Sequence, residues 1–305
     1  MSRPRRVALA LGSGGARGYA HIGAVQVLGE RGFEIVAVAG SSMGALVGGV
    51  MAAGRLDAFT EWAVGLKQRD VLRLIDPAWA SAGAMNADRL ISHLNEFLTD
   101  ADIEDLPIPY TAVATDIVAR REVWFQKGPL RSAVRASIAI PGVITPVAVE
   151  GRLLADGGLL NPVPIEPTAS AEADLTVAVS LQARRPAQES AGPVRAAAPR
   201  WLDDLPGRLR QTLHTLTGRD PGSAPAPARK AGSAYPEDLR IAGVLALSLD
   251  AMQDLIARYR MAGLPPDVHV AVPVSAGGVM DFHRAADLIA LGRDLTARAL
   301  DDAGY

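Results

Sequence analysis

The stretch Glu34-Ile-Val-Ala-Val-Ala-Gly-Ser-Ser-Met-Gly-Ala-Leu-Val-Gly-Gly-Val50 decides how the chain folds. Ile35 to Ala39 is a short apolar run suited to a buried parallel strand. Gly40-Ser-Ser-Met-Gly44 fits G-x-S-x-G with Ser42 at its centre. Small apolar residues follow and read as a buried helix from Met43. Strand, tight turn and helix form the setting in which this pattern makes a nucleophile elbow. The helix N-terminus then aims free N–H groups and a positive dipole at the serine. Taken alone, the five residues also describe an ordinary Gly/Ser turn.

One unit upstream, Val7 to Leu11 reads as a first buried strand and Tyr19 to Arg31 as a helix closed by Gly32. Between them lies Gly12-Ser-Gly-Gly-Ala-Arg-Gly18. A Walker loop would need Lys and Ser/Thr where Tyr19-Ala20 stand. A dinucleotide loop would need glycine where Arg17 stands. The third reading is an oxyanion hole, because successive glycine N–H groups form a nest for negative charge. Adjacent parallel βα units bring both loops to the carboxyl ends of their strands, where α/β sites lie. Arg17 either supports the loop, supports an anion, or is purely structural.

Downstream, Leu56 to Ile75 reads as a helix broken by Asp76-Pro77, and Met85 to Phe97 as another with Asn86 as N-cap. Tyr110 to Thr115 and Glu122 to Phe125 read as strands, with Asp116 bracing a turn. Leu130 to Ser137 reads as a helix. Pro146 to Glu150, Gly151 and Arg152 to Ala155 read as a hairpin running into Asp156-Gly-Gly158. Pro167 to Ala173 reads as a short helix and Leu175 to Leu181 as a buried strand. Leu239 to Met261 reads as a helix, Val268 to Val272 as a strand, and Phe282 to Leu300 as a last helix capped by Asp281.

From about residue 184 to 236, Pro, Ala, Gly and Arg dominate. Trp201, Leu205, Leu209, Leu213 and Leu216 are spaced as one face of an amphipathic helix. It reads as a mobile lid or membrane-surface helix, or as a helix packed on the domain. Ala224 to Ala228, with alternating prolines, reads as disordered.

With 305 residues, 49% of them hydrophobic, the chain can bury a large α/β core. It holds no cysteine, which removes disulfides, thiolate catalysis and Cys-based metal sites. A net charge of −2 leaves no nucleic-acid footprint. The basic start before Val7 has too short an apolar run for a signal peptide. No stretch of about 18 apolar residues exists to span a membrane. A cytoplasmic protein, peripheral at the membrane surface if the lid reading holds, is the expectation.

A serine hydroxyl needs a base. The five histidines, at 21, 93, 214, 269 and 283, all fall outside strand-end loops. Asp156 does sit at a strand end, before two glycines. A carboxylate can serve if it contacts the hydroxyl and is partly desolvated. This favours a Ser42–Asp156 dyad over a triad.

The three elements in this order resemble the patatin-like phospholipase family, in particular bacterial members similar to the neuropathy target esterase catalytic domain. Ala114-Thr-Asp116, Arg135-Ala-Ser-Ile-Ala-Ile-Pro-Gly142 and Leu159-Leu-Asn-Pro-Val-Pro164 add to the resemblance, which covers residues 5 to 182 and more loosely 239 to 302. It implies one acyl hydrolase domain over 1–305, of three-layer α/β/α fold with a mainly parallel central sheet, carrying the 184–236 insert. It implies Ser42 as nucleophile and Asp156 as general base. Backbone N–H groups of Gly14, Gly15 and Ala16 become the oxyanion hole. The expected activity is hydrolysis of phospholipids, lysophospholipids or simpler fatty-acyl esters, with no cofactor or metal. Ile140, Val143 and Ile144 are candidates for an acyl groove. An acyltransferase on the same elbow, or a non-catalytic regulatory binding protein, are the alternatives.

Overall fold

Strand β1 (Arg6–Leu11) sorts its side chains onto two faces, and the layers follow from that alternation. In the computed structural model, which describes residues 3–74, 88–141, 143–183 and 241–305, Val7, Leu9 and Leu11 join the larger core. That core is shared with α1 (Ala20–Glu30), α2 (Met43–Ala52) and α8 (Ala285–Asp302). Ala10 faces the other way, with Ala178, Val163, Ile165 and Ala257 of α7 (Ile241–Gly263). Alanines on that second face let the covering elements approach closely. The result is a three-layer α/β/α fold.

The remaining strands are β2 (Glu34–Ser41), β3 (Tyr110–Asp116), β4 (Arg121–Phe125), β5 (Val147–Val149), β6 (Arg152–Asp156), β7 (Leu175–Ala183) and β8 (Val268–Pro273). Their pairings run β5-β6-β3-β2-β1-β7-β8, with β4 also on β3. Pairs within β3-β2-β1-β7-β8 are parallel, and those of β4, β5 and β6 are antiparallel. The sheet is therefore mainly parallel at its centre, with one antiparallel flank. Further helices are α3 (Leu56–Gly65), α4 (Gln68–Leu74), α5 (Asp88–Leu98) and α6 (Leu130–Ser137). The chain divides into two units, Met1–Arg185 with Leu249–Tyr305, and Pro186–Ser248. All that follows concerns the first.

Register on β3 positions the site. β4 occupies one edge of β3 along Ala112–Asp116. The other edge holds β2 along Tyr110–Val113 and then β6 along Ala114–Asp116. Ser41 lies opposite Val113, and Asp156 lies opposite Ala114. The ends of β2 and β6 thus meet at neighbouring residues of one strand, although 114 positions separate Ser42 from Asp156.

Three helical expectations change. Leu56 to Leu74 is two helices, because Gly65 ends the first and Leu66 is extended. Asp70 restarts the second by accepting the Lys67 amide at 3.2 Å, as in a capping box. Pro167 to Ala173 forms only a 3-10 turn, Glu166–Thr168, too short to propagate. The last helix begins at Ala285, after a 3-10 turn at Phe282–Arg284. Asp281 accepts the Gly278 amide at 2.8 Å and does not cap that helix. The predicted hairpin is present, with positive φ at both Glu150 and Gly151, as a two-residue turn of its twist requires. Asp76-Pro77, Asn86, Gly142 and the 184–236 insert with its helix lie outside the described residues.

Candidate active site

Ser42 links β2 to α2 with φ 56 and ψ −123, a conformation costly for any residue with a side chain. The neighbours explain how the turn is held. A Cβ on Gly40 would run into the Gly44 backbone, and one on Gly44 would run into the Leu11 carbonyl. Only glycines let α2 start this close to β1 and β2. The Ser42 amide donates to Ser137 Oγ at 2.9 Å, and the Ser137 hydroxyl donates to the Val113 carbonyl at 2.6 Å. This places Ser42 at the N-terminus of a buried helix, 3% exposed.

Asp156 ends β6 and is also 3% exposed. Its Oδ1 accepts the Gly158 amide at 2.7 Å. Oδ2 is buried and accepts no hydrogen bond of normal geometry. Burial pushes the carboxyl pKa up to about 7 from 3.8, while the Ser42 side chain and then the Gly158 amide pull it down. The two side chains are thus in interaction range, without a fully formed bond between them. An acid of this kind titrates near neutrality, where a general base is most useful.

The glycine loop lies beside them. Gly12 and Ser13 amides are fastened to the Val179 and Pro162 carbonyls at 2.9 and 2.8 Å. Among the described residues, the Gly14 and Gly15 amides donate to nothing. Ala16 differs from the expectation. Its amide donates to the Val279 carbonyl at 2.8 Å and is already engaged in this conformation. The loop holding Val279 also packs over Gly15, where a Cβ would strike Val279. Arg17 is buried and its Nε donates to the Gly14 carbonyl at 3.3 Å, so it braces the loop. Burial lowers its pKa, and the charge of Asp250 raises it.

The other titratable groups have plainer roles. His21 is buried, and its Nε2–H donates to the Gly12 carbonyl at 2.8 Å, tying α1 to the loop. Burial lowers its pKa to about 4, so the ring is neutral. His269 pairs with Ser180. Asp116 accepts the Val118 and Ala119 amides at 3.1 and 2.9 Å, bracing the turn as expected.

A cleft of about 600 Å³, open mouth included, begins at Ser42. Tyr19, Met43, Leu46, Phe59, Trp62 and Leu94 line it, with Ile140 and Ile144 from the predicted groove; Val143 is not part of the lining. Sequence reasoning missed Ser137, Val279 and Phe282. Ser137 lay inside a stretch already singled out, but nothing local assigns it to the Ser42 amide. Phe282 stacks edge-on against Tyr19 at 6.1 Å and also lines the cleft.

A serine on a strand–turn–helix elbow is an arrangement found in α/β hydrolytic enzymes. Residues 9–169 match the model of the family described as patatin-like phospholipase. An NTE family protein of Mycobacterium tuberculosis is 46% identical over 334 residues, covering 97% of this chain and 91% of that protein. Mouse patatin-like phospholipase domain-containing protein 7 is 32% identical over 185 residues, 58% of this chain and 14% of that one. VipD from Legionella pneumophila aligns with a TM-score of 0.48 at 15% identity, covering 99% of this chain and 67% of that chain. The chain belongs to the patatin-like phospholipase family, a family of lipid acyl hydrolases in general. Among the described residues, no helix is long and apolar enough to cross a membrane.

Proposed function

We propose that the chain is a serine lipid acyl hydrolase using a Ser42–Asp156 dyad. One observation carries this reading: a buried carboxyl with an uncommitted oxygen, within interaction range of a serine on a strained turn, at the head of an apolar cleft. Ser42 Oγ attacks the ester carbonyl, and its proton passes to Asp156. The Gly14 and Gly15 amides receive the developing oxyanion, each such donor being worth about 3–4 kcal/mol in comparable sites. Collapse of the intermediate expels the alcohol, which takes the proton from Asp156, and leaves an acyl-enzyme. Water then attacks the acyl carbonyl, Asp156 accepts a proton from it, and the fatty acid leaves as Ser42 regains its hydrogen. The cleft takes the acyl chain, burying roughly 25 cal/mol of stabilisation per Å² of hydrocarbon. Substrates are phospholipids, lysophospholipids or simpler fatty-acyl esters, reached at a lipid surface.

The test is fatty-acid release from a panel of such esters, in vesicles and as monomers, with Ser42→Ala as control. Release that disappears in Ser42→Ala supports the reading. Equal release by the variant removes Ser42 from the chemistry. Transfer of the acyl group to an added thiol in preference to water would make the chain an acyltransferase.

A further inference from the structure

The segment from Asp156 to Pro162 joins the proposed base to the Ser42 turn and to the glycine loop. It begins at the proposed base. Its Asn161 carbonyl accepts the Ser41 hydroxyl at 2.6 Å, one residue before the proposed nucleophile. Its Pro162 carbonyl accepts the Ser13 amide at 2.8 Å, on the glycine loop. The position of this segment therefore sets base, nucleophile and loop relative to one another. Its own secondary structure is one 3-10 turn, Gly157–Leu159, which cannot hold it alone.

The Asn161 side chain supplies the anchor. Its Nδ2 donates to Glu122 Oε2 at 2.9 Å and to Glu166 Oε2 at 3.3 Å. Two carboxylates converging on one amide repel each other unless a cation answers them. Arg260 does so from α7. Its Nη1 donates to Glu166 Oε1 at 2.8 Å, and its Nη2 pairs with Glu122 Oε1. Trp124 Nε1 adds a bond to Glu122 Oε2 at 2.8 Å. Glu122 is 17% exposed and Arg260 28%, so screening of their ion pair by water is incomplete. A guanidinium fork spans two carboxylates in a way a single ammonium does not.

We infer that Arg260 is a positioning residue for the serine chemistry: by bridging Glu122 and Glu166 it fixes Asn161, and through Asn161 it fixes Asp156 against Ser42. The inference rests on the dyad reading above. Arg260 lies beyond residues 9–169, so the family match does not reach it. A salt bridge that only held α7 to the sheet would contribute to stability and leave the rate of the serine unchanged.

The test uses the full chain as wild type, Arg260→Met and Arg260→Lys. The readouts are the rate of fluorophosphonate labelling at Ser42, kcat and KM on a soluble ester, and circular dichroism. Small displacements of reacting groups slow reactions by roughly 10- to 100-fold. Arg260→Met should lower labelling rate and kcat together by such a factor, with KM within about twofold and the fold intact. Arg260→Lys, which keeps the charge and loses the fork, should fall between. Labelling of Arg260→Met within about twofold of wild type overturns the inference, as does a loss confined to KM. If Arg260→Met does not fold, Arg260→Lys decides alone, and a wild-type labelling rate there overturns it. Wild-type protein that fails to label at Ser42 breaks the dyad reading itself, and the inference falls with it.

Discussion

Replacing Asp156 with Asn should shift stability in favour of the variant, relative to wild type, increasingly as pH rises. The Asp156 pKa stands at about 7 against an ordinary 3.8, chiefly because burial penalises the charged form. An acid with a raised folded pKa holds its proton more tightly in the folded state than in the unfolded. Below about pH 4 both states are protonated and the group makes no difference. Between about 4 and 7 the unfolded chain ionises first, so folding loses ground as pH rises, and above about 7 the whole penalty is present. A gap of about three pH units corresponds to about 4 kcal/mol at 1.36 kcal/mol each. About 2–3 kcal/mol of it develops between about pH 5 and pH 8. Asn carries no charge, and its amide oxygen can still accept the Gly158 N–H. The stability of Asp156→Asn minus that of wild type should therefore grow by about 2–3 kcal/mol over that range, whatever constant offset the amide adds. Urea unfolding of both proteins across the range measures it. A difference that stays flat or shrinks refutes a carboxyl held out of water.

Wild-type kcat/KM should drop about tenfold per pH unit below about 7, since only the ionised Asp156 accepts the proton; a midpoint near 4 would contradict its burial. Ser42→Gly should melt at higher temperature than Ser42→Ala, because glycine relieves a backbone strained by roughly 1–3 kcal/mol, while neither variant turns over ester; equal melting temperatures would argue against strain at φ 56. Gly15→Ala should slow Ser42 labelling by at least about tenfold, since its Cβ meets Val279 at a φ of +57 and displaces a proposed oxyanion donor; unchanged labelling would remove that amide from the hole. Leu94→Phe should fill part of the cleft and lower kcat/KM for long-chain relative to acetyl esters by roughly tenfold; an unchanged ratio would place the acyl chain elsewhere.

Local chemistry was legible in the sequence and long-range register was not. G-x-S-x-G after an apolar run reports its own strand, turn and helix within a few residues, and the strained Ser42 sits where that pattern puts it. Asp156 emerged from its place at a strand end before two glycines, and then from the order of three motifs. Its approach to Ser42 depends on β2 and β6 sharing one edge of β3, which no spacing encodes. The engaged Ala16 amide follows from Val279, a backbone carbonyl 263 positions away that has no side-chain signal. Arg260 was invisible for a related reason, as its partners lie 138 and 94 positions away and each looks like an ordinary surface charge. The break at Gly65-Leu66 was missed because apolar spacing continues across it while the backbone does not.

Mass-spectrometric mapping of a fluorophosphonate adduct, on wild type, Ser42→Ala and Asp156→Asn, tests the dyad most directly. One adduct per chain on the Ser42 peptide is predicted, absent in Ser42→Ala and formed far more slowly in Asp156→Asn. An adduct on another residue, or one forming at the wild-type rate without the Asp156 carboxyl, would contradict the account.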